Sequence, residues 1–246
     1  MKKGFKRSMA AILTLVMTIG MSHSAFAQGL GDEDKTGVGG VEGTVKQDIY
    51  QVILPTVTDD VFDFIIDPQG LINKTDGAAY DGKKFEENST LFFKRSDGKV
   101  KEDYSSSSDE ITITNMGSVA VKVSLNISIA PDSLGEIVLT NDKEFKDDKN
   151  ASLYIALKDG EKETPIGAEG ISMEVTVNAA PEDAYEYRYD SEKELYTYQM
   201  KEDVSGVKFP SYSFQLTGAA NGKGDWSKLT KEVPKINVSW SITPIE

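Results

Sequence analysis

Five of the ten tyrosines fall within fourteen residues: Tyr185, Tyr187 and Tyr189 in YEYRYD, then Tyr196 and Tyr198 in LYTYQ. A spacing of two puts side chains on one face of an extended strand. A tyrosine ring offers a flat apolar surface for a sugar ring or a partner side chain, and its hydroxyl adds a directional bond. The chemistry this cluster suggests is binding rather than turnover. The same rings, paired across two strands, would also stiffen an isolated ribbon.

Trp226, in Gly224-Asp225-Trp226, joins these tyrosines as a candidate ligand contact. Carboxylates are the other group dense enough to act together. Asp59, Asp60, Asp63 and Asp67 lie near one another, as do Asp142, Glu144, Asp147 and Asp148. Calcium takes six to eight oxygens in a bent loop, so Asp142, Asp147 and Asp148 are the candidate metal residues. Neither cluster has helix–loop–helix calcium spacing, and a solvated acidic loop is the alternative reading.

Catalysis finds no such constellation. There is no cysteine, and the one histidine, His23, lies in the N-terminal segment. Beyond it the chain lacks the side chains most used for acid–base and nucleophilic work near neutral pH. Zinc, copper or haem sites built on His or Cys are excluded there. No G-x-S-x-G elbow and no phosphate-cradling glycine loop appears. The expectation is a protein that is not an enzyme, with no catalytic residue and no cofactor beyond an optional calcium ion.

The N-terminal segment, MKKGFKRSMAAILTLVMTIGMSHSAFAQ, places Lys2, Lys3, Lys6 and Arg7 before an apolar run from Met9 to Met21. Ala25-Phe26-Ala27 follows, so residues 1–27 read as a signal peptide cut between Ala27 and Gln28. The apolar run is shorter than the roughly 20 residues a spanning helix needs, and no later segment qualifies. The expected location is secreted, extracellular or on the cell wall. The whole chain sets 40 acidic against 27 basic residues; losing the four basic residues of the signal leaves 40 against 23, a formal charge of −17. That charge argues against nucleic acid, which needs a basic footprint, as a partner. Without cysteines an exported chain must be held by packing alone.

Those candidate residues need a scaffold, and the pattern around them is β. Residues 28–46 carry six glycines and little that is large and apolar, so they read as a flexible leader. Strand candidates are VFDFII (61–66), LFFKR (91–95), ITITN (111–115), VAVKVSLNISI (119–129), LYIAL (153–157), ISMEVTV (171–177), YSFQL (212–216) and INVSWSITP (236–244). Most alternate apolar and polar residues, as half-buried strands do. Turn formers separate them, among them Asp159-Gly160, Gly167–Gly170 and the run 218–224. The fold class expected is all-β: one antiparallel β-sandwich of immunoglobulin-like type over 47–246, with residues 181–208 inserted as a Tyr-rich hairpin.

The closing VSWSITP (238–244), with Gly224-Asp225-Trp226 and Val233-Pro234 upstream, resembles the end of WxL domains. QVILPTV (51–57), DFIIDP (63–68) and ITNMG (113–117) resemble secreted surface proteins of Gram-positive, clostridia-like bacteria. That resemblance implies a β-rich protein that holds to the cell wall without covalent linkage. Its partners would be cell-wall polysaccharide, peptidoglycan or other surface proteins, and its role structural or adhesive. Two alternatives come from the residues themselves. One is a carbohydrate-binding module that uses the tyrosines. The other is a subunit of an extracellular fibre, in which the leader and DIYQVIL add a strand to a neighbour's sheet.

Overall fold

The computed structural model describes residues 46–55, 60–95, 103–146, 149–192, 194–228 and 234–245, with the backbone of Thr14–Val16. Most of the leader and the Ala27–Gln28 junction lie outside these residues. Among those described, no helix is long and apolar enough to cross a membrane.

Regular structure among the described residues is nearly all β, in mostly antiparallel sheets. One large sheet begins with β1 (Thr14–Val16) on β2 (Gln51–Ile53). A small side sheet is formed by β3 (Phe64–Ile66), β4 (Leu91–Arg95) and β5 (Asp103–Ser105). The large sheet resumes with β6 (Ile111–Asn115), which pairs with β2. The chain then crosses to a second face as β7 (Val121–Ile129), the centre of a three-stranded sheet. Next come β8 (Val138–Leu139), β9 (Ser152–Asp159) and β10 (Lys162–Pro165) of the large sheet. β11 (Ile171–Val177) returns to flank β7, and β12 (Tyr185–Asp190) and β13 (Leu195–Met200) form a ribbon. β14 (Ser211–Ala220) lies between β6 and β9, and β15 (Ile236–Pro244) closes the β7 sheet on its other side.

The alternation explains the packing. In β7, Val121, Val123, Leu125, Ile127 and Ile129 are buried while Lys122, Ser124, Asn126 and Ser128 turn outward. Ile111 and Ile113 of β6, Leu153, Ile155 and Leu157 of β9, and Phe214 and Leu216 of β14 meet them in one core. Each buried Leu or Ile contributes about 1.5–3 kcal/mol. A one-residue slip in register would turn the whole set outward, so this core also fixes the pairing.

Three expectations change at their ends. VFDFII forms strand only over Phe64–Ile66, because residues 60–62 turn so that the Asp60 carbonyl accepts from Asp63 N–H. Val119 sits in the turn before β7. The run starting at Gly218, read as a turn, continues β14 through Ala220. A Cβ on Gly218 would lie 2.7 Å from the Tyr154 carbonyl oxygen and 3.2 Å from Leu91, so glycine here admits a close strand rather than a bend. LFFKR also does more than alternate. Leu91 and Phe93 enter the sandwich core, whereas Phe92 packs on Phe85, which in turn meets Tyr80 and Tyr104.

The turn between β6 and β7 gathers both ends of the sandwich. Ser118 N–H donates to the Ile49 carbonyl at 2.8 Å, and Ile245 N–H donates to the Ala120 carbonyl at 2.9 Å.

Candidate functional site

Residues 185–200 form the expected hairpin. The register sets Tyr187 opposite Tyr198 and Tyr189 opposite Tyr196, with Tyr185 opposite Met200. Directly opposed residues share a face, so all five rings form one ladder. Ring centroids are 5.1 Å apart for Tyr185–Tyr198, 4.9 Å for Tyr187–Tyr198 and 5.0 Å for Tyr189–Tyr196. The cross-strand aromatic pairs expected from spacing are therefore present.

The ladder is graded from root to tip. Tyr185 is buried with Ala180 and Ala184, against Ile49, Met200, Val207 and Phe209. Its hydroxyl donates to the Met116 carbonyl at 2.6 Å. Burial, with a further contribution from Tyr198, pushes its pKa up to about 12. Tyr198 is half-buried, with the Lys46 ammonium 4.3 Å from its ring centroid. Tyr187, Tyr189 and Tyr196 are 69%, 51% and 60% exposed. The opposite face is charged: Arg188 pairs with Glu202 at 3.0 Å and Glu186 at 2.9 Å, which raise its pKa. Among the described residues the two ribbon strands pair only with each other.

Asn115 ties this ribbon to both sheets. It is fully buried at the end of β6, and its amide donates to the carbonyls of Val119 and Asn178 at 2.8 Å each. Its side-chain oxygen accepts from Gly117 N–H at 2.9 Å. The turn so fixed contains Met116, the acceptor of Tyr185. In sequence, Asn115-Met116-Gly117 read only as a break; a polar residue continuing the buried positions 111 and 113 was the available signal.

Trp226 belongs elsewhere. It packs against the sandwich core rather than the ribbon's cluster, and its Nε1 donates to the Asn221 carbonyl at 2.7 Å. With Leu134, Ile137, Asp132 and Glu136 it borders an open cavity of about 460 Å³. The structure thus unites the five tyrosines and separates Trp226 from them.

The acidic candidates are engaged locally. Asp142 accepts from Glu144 N–H at 2.9 Å in an exposed turn, and Asp147 and Asp148 lie outside the described residues. In the other cluster Asp60 pairs with Lys94. Asp67, buried, accepts from the N–H groups of Leu71 and Ile72 at 2.7 and 2.9 Å, capping the single-turn helix α1 (Leu71–Lys74). Asp59 lies outside the described residues. Among the described residues, no three His, Cys, Asp or Glu side chains converge.

No family model matches the chain, and no curated protein or solved structure matches it.

Proposed function

We propose that this chain is an exported, non-enzymatic protein of the cell surface, structural or adhesive, that docks on cell-wall polysaccharide or peptidoglycan through its tyrosine ladder. One observation carries the reading: three rings more than half exposed stand together on one face of a ribbon braced at its root. Rings used only for packing are covered as the ladder's inner end is; here the outer end is open to a flat partner. The rigid base lowers the ordering cost of binding, because a tyrosine has few torsions to fix. An open face of paired rings with a charged reverse side suits an extended glycan better than an enclosed small molecule.

The test uses residues 28–246 in sedimentation with insoluble peptidoglycan and on a glycan array. Wild type should be retained, and the Tyr187→Ala/Tyr196→Ala double variant should lose at least about tenfold in affinity, of the order of 1.4 kcal/mol. Retention of the double variant equal to wild type would sink the proposal. Binding to one defined glycan, without peptidoglycan, would favour the carbohydrate-module reading.

A further inference from the structure

The side of the sandwich where β2 and β15 lie is built differently from its other margins. Gln51 and Ile49 turn their carbonyls toward β6, accepting from Met116 and Ser118 N–H at 2.8 Å each. By alternation, the backbone groups of Tyr50, Val52 and Leu54 point away from β6. Those outward groups face β1, with Leu15 opposite Val52. On the facing sheet, Lys235 carbonyl accepts from Ala130 N–H and Ile245 N–H donates to Ala120 carbonyl, at 2.9 Å each. The same alternation leaves the backbone groups of Ile236, Val238, Trp240 and Ile242 pointing outward, and no strand among the described residues pairs with that edge.

Between the two edges lies an apolar cavity of about 150 Å³, lined by Tyr50, Val52, Leu54, Val121, Ile242 and Pro244 among others. Charge separates this side from most of the other edges, the short β8 and the ribbon strand β13 apart. Edge strands of monomers carry charges that discourage pairing with other chains. β10 has Lys162 and Glu163, β11 has Glu174, β5 has Asp103, and β3 is bounded by Asp63 and Asp67. Residues 49–55 and 236–245 contain no charged residue at all, in a strongly acidic chain.

We infer that, once residues 1–27 and with them β1 are removed, two copies of this chain close this side against each other, β2 of each pairing with β15 of the other. Direction permits it. β2 is antiparallel to β6, β6 returns as β7, and β15 is antiparallel to β7, so β2 and β15 run oppositely. A two-fold axis along the strands brings one copy's β2 level with its partner's β15 and keeps that opposition. Both sheets become continuous across the pair, the cavity becomes interior, and the assembly is closed rather than open-ended. β1, seated on β2 in the uncut chain, holds the edge until cleavage. The inference rests on the export reading for the loss of β1.

Sedimentation equilibrium of residues 28–246 at micromolar concentration should give twice the chain mass. Amides of Val238, Trp240 and Ile242 should exchange at least about tenfold more slowly than in the variant Val52→Pro. That substitution removes an outward N–H and no bond to β6, so the variant should keep the same far-ultraviolet dichroism and half the assembly mass. A monomeric wild type, growing filaments, or a dimer whose outward amides exchange as fast as the variant's would each overturn the inference. N-terminal sequencing of protein from cells tests cleavage separately: an uncut chain would sink the export reading and leave the measurement on 28–246 standing.

Discussion

In β7 the alternating Val121, Val123, Leu125, Ile127 and Ile129 are at most 3% exposed, whereas in the ribbon Tyr187, Tyr189 and Tyr196 are 51–69% exposed. Both regions are written with a period of two. The period decides which residues share a face; what covers that face depends on the strand's place in the topology. β7 sits between β11 and β15 with another sheet across the core. Among the described residues β12 and β13 pair only with each other, and their apolar face is covered at the root and open at the tip.

The largest effect that could break this contrast is in the core. Leu125→Asp buries a charge at a position with no exposed surface and should cost at least about 4 kcal/mol. Loss of near-ultraviolet dichroism and of a cooperative urea transition would be expected. A variant that melts like wild type would refute the assigned register.

Alkaline titration sharpens the same contrast. Burial, the leading cause in each case, lifts Tyr154, Tyr185 and Tyr212 to about 12, above the ordinary value near 10. The folded state then holds these protons more tightly than the unfolded chain. Their stabilisation is complete below about pH 10 and is lost as pH rises through about 12. Urea midpoints should stay level to about pH 9 and then fall steadily as pH rises toward 12. A decline already complete at pH 9 would contradict the buried setting of these three hydroxyls.

Tyr185→Phe isolates the ribbon's root. It removes the donor to Met116 and should cost about 1–2 kcal/mol by urea denaturation, with an equal midpoint counting against an anchoring role. Smallest of all is the stability change in Tyr187→Ala/Tyr196→Ala, within about 1 kcal/mol for the pair. A loss as large as that of Leu125→Asp would mean the exposed rings hold up the fold and would dissolve the distinction.

Much of the sandwich was legible, because β6, β7, β11 and β15 each bury one face and a buried face writes itself as alternation. The ribbon was legible from the spacing of its tyrosines, whereas which rings oppose one another is a matter of register that only the structure gives. Other features depend on partners distant in sequence. Gly218 reads as a turn until Tyr154 and Leu91 are seen to crowd it. Phe92 and Phe93 look alike in LFFKR, and only the packing of Phe85 and the core separates them. Asn115 interrupts an apolar pattern, and its use emerges only with Val119 and Asn178 in place. DIYQVIL showed itself as a strand, but its pairing with β6 is a long-range fact.

Ile49 and Ile245 are held at Ser118 and Ala120, two positions apart on one turn. A short flexible linker from Ile245 back to Lys46 should therefore span the gap without strain, and new termini could be opened at the exposed turn around Gly135. Such a circular permutant should retain the pairings of β2 through β15, since the itinerary of the backbone can be re-cut without redrawing the map it travels.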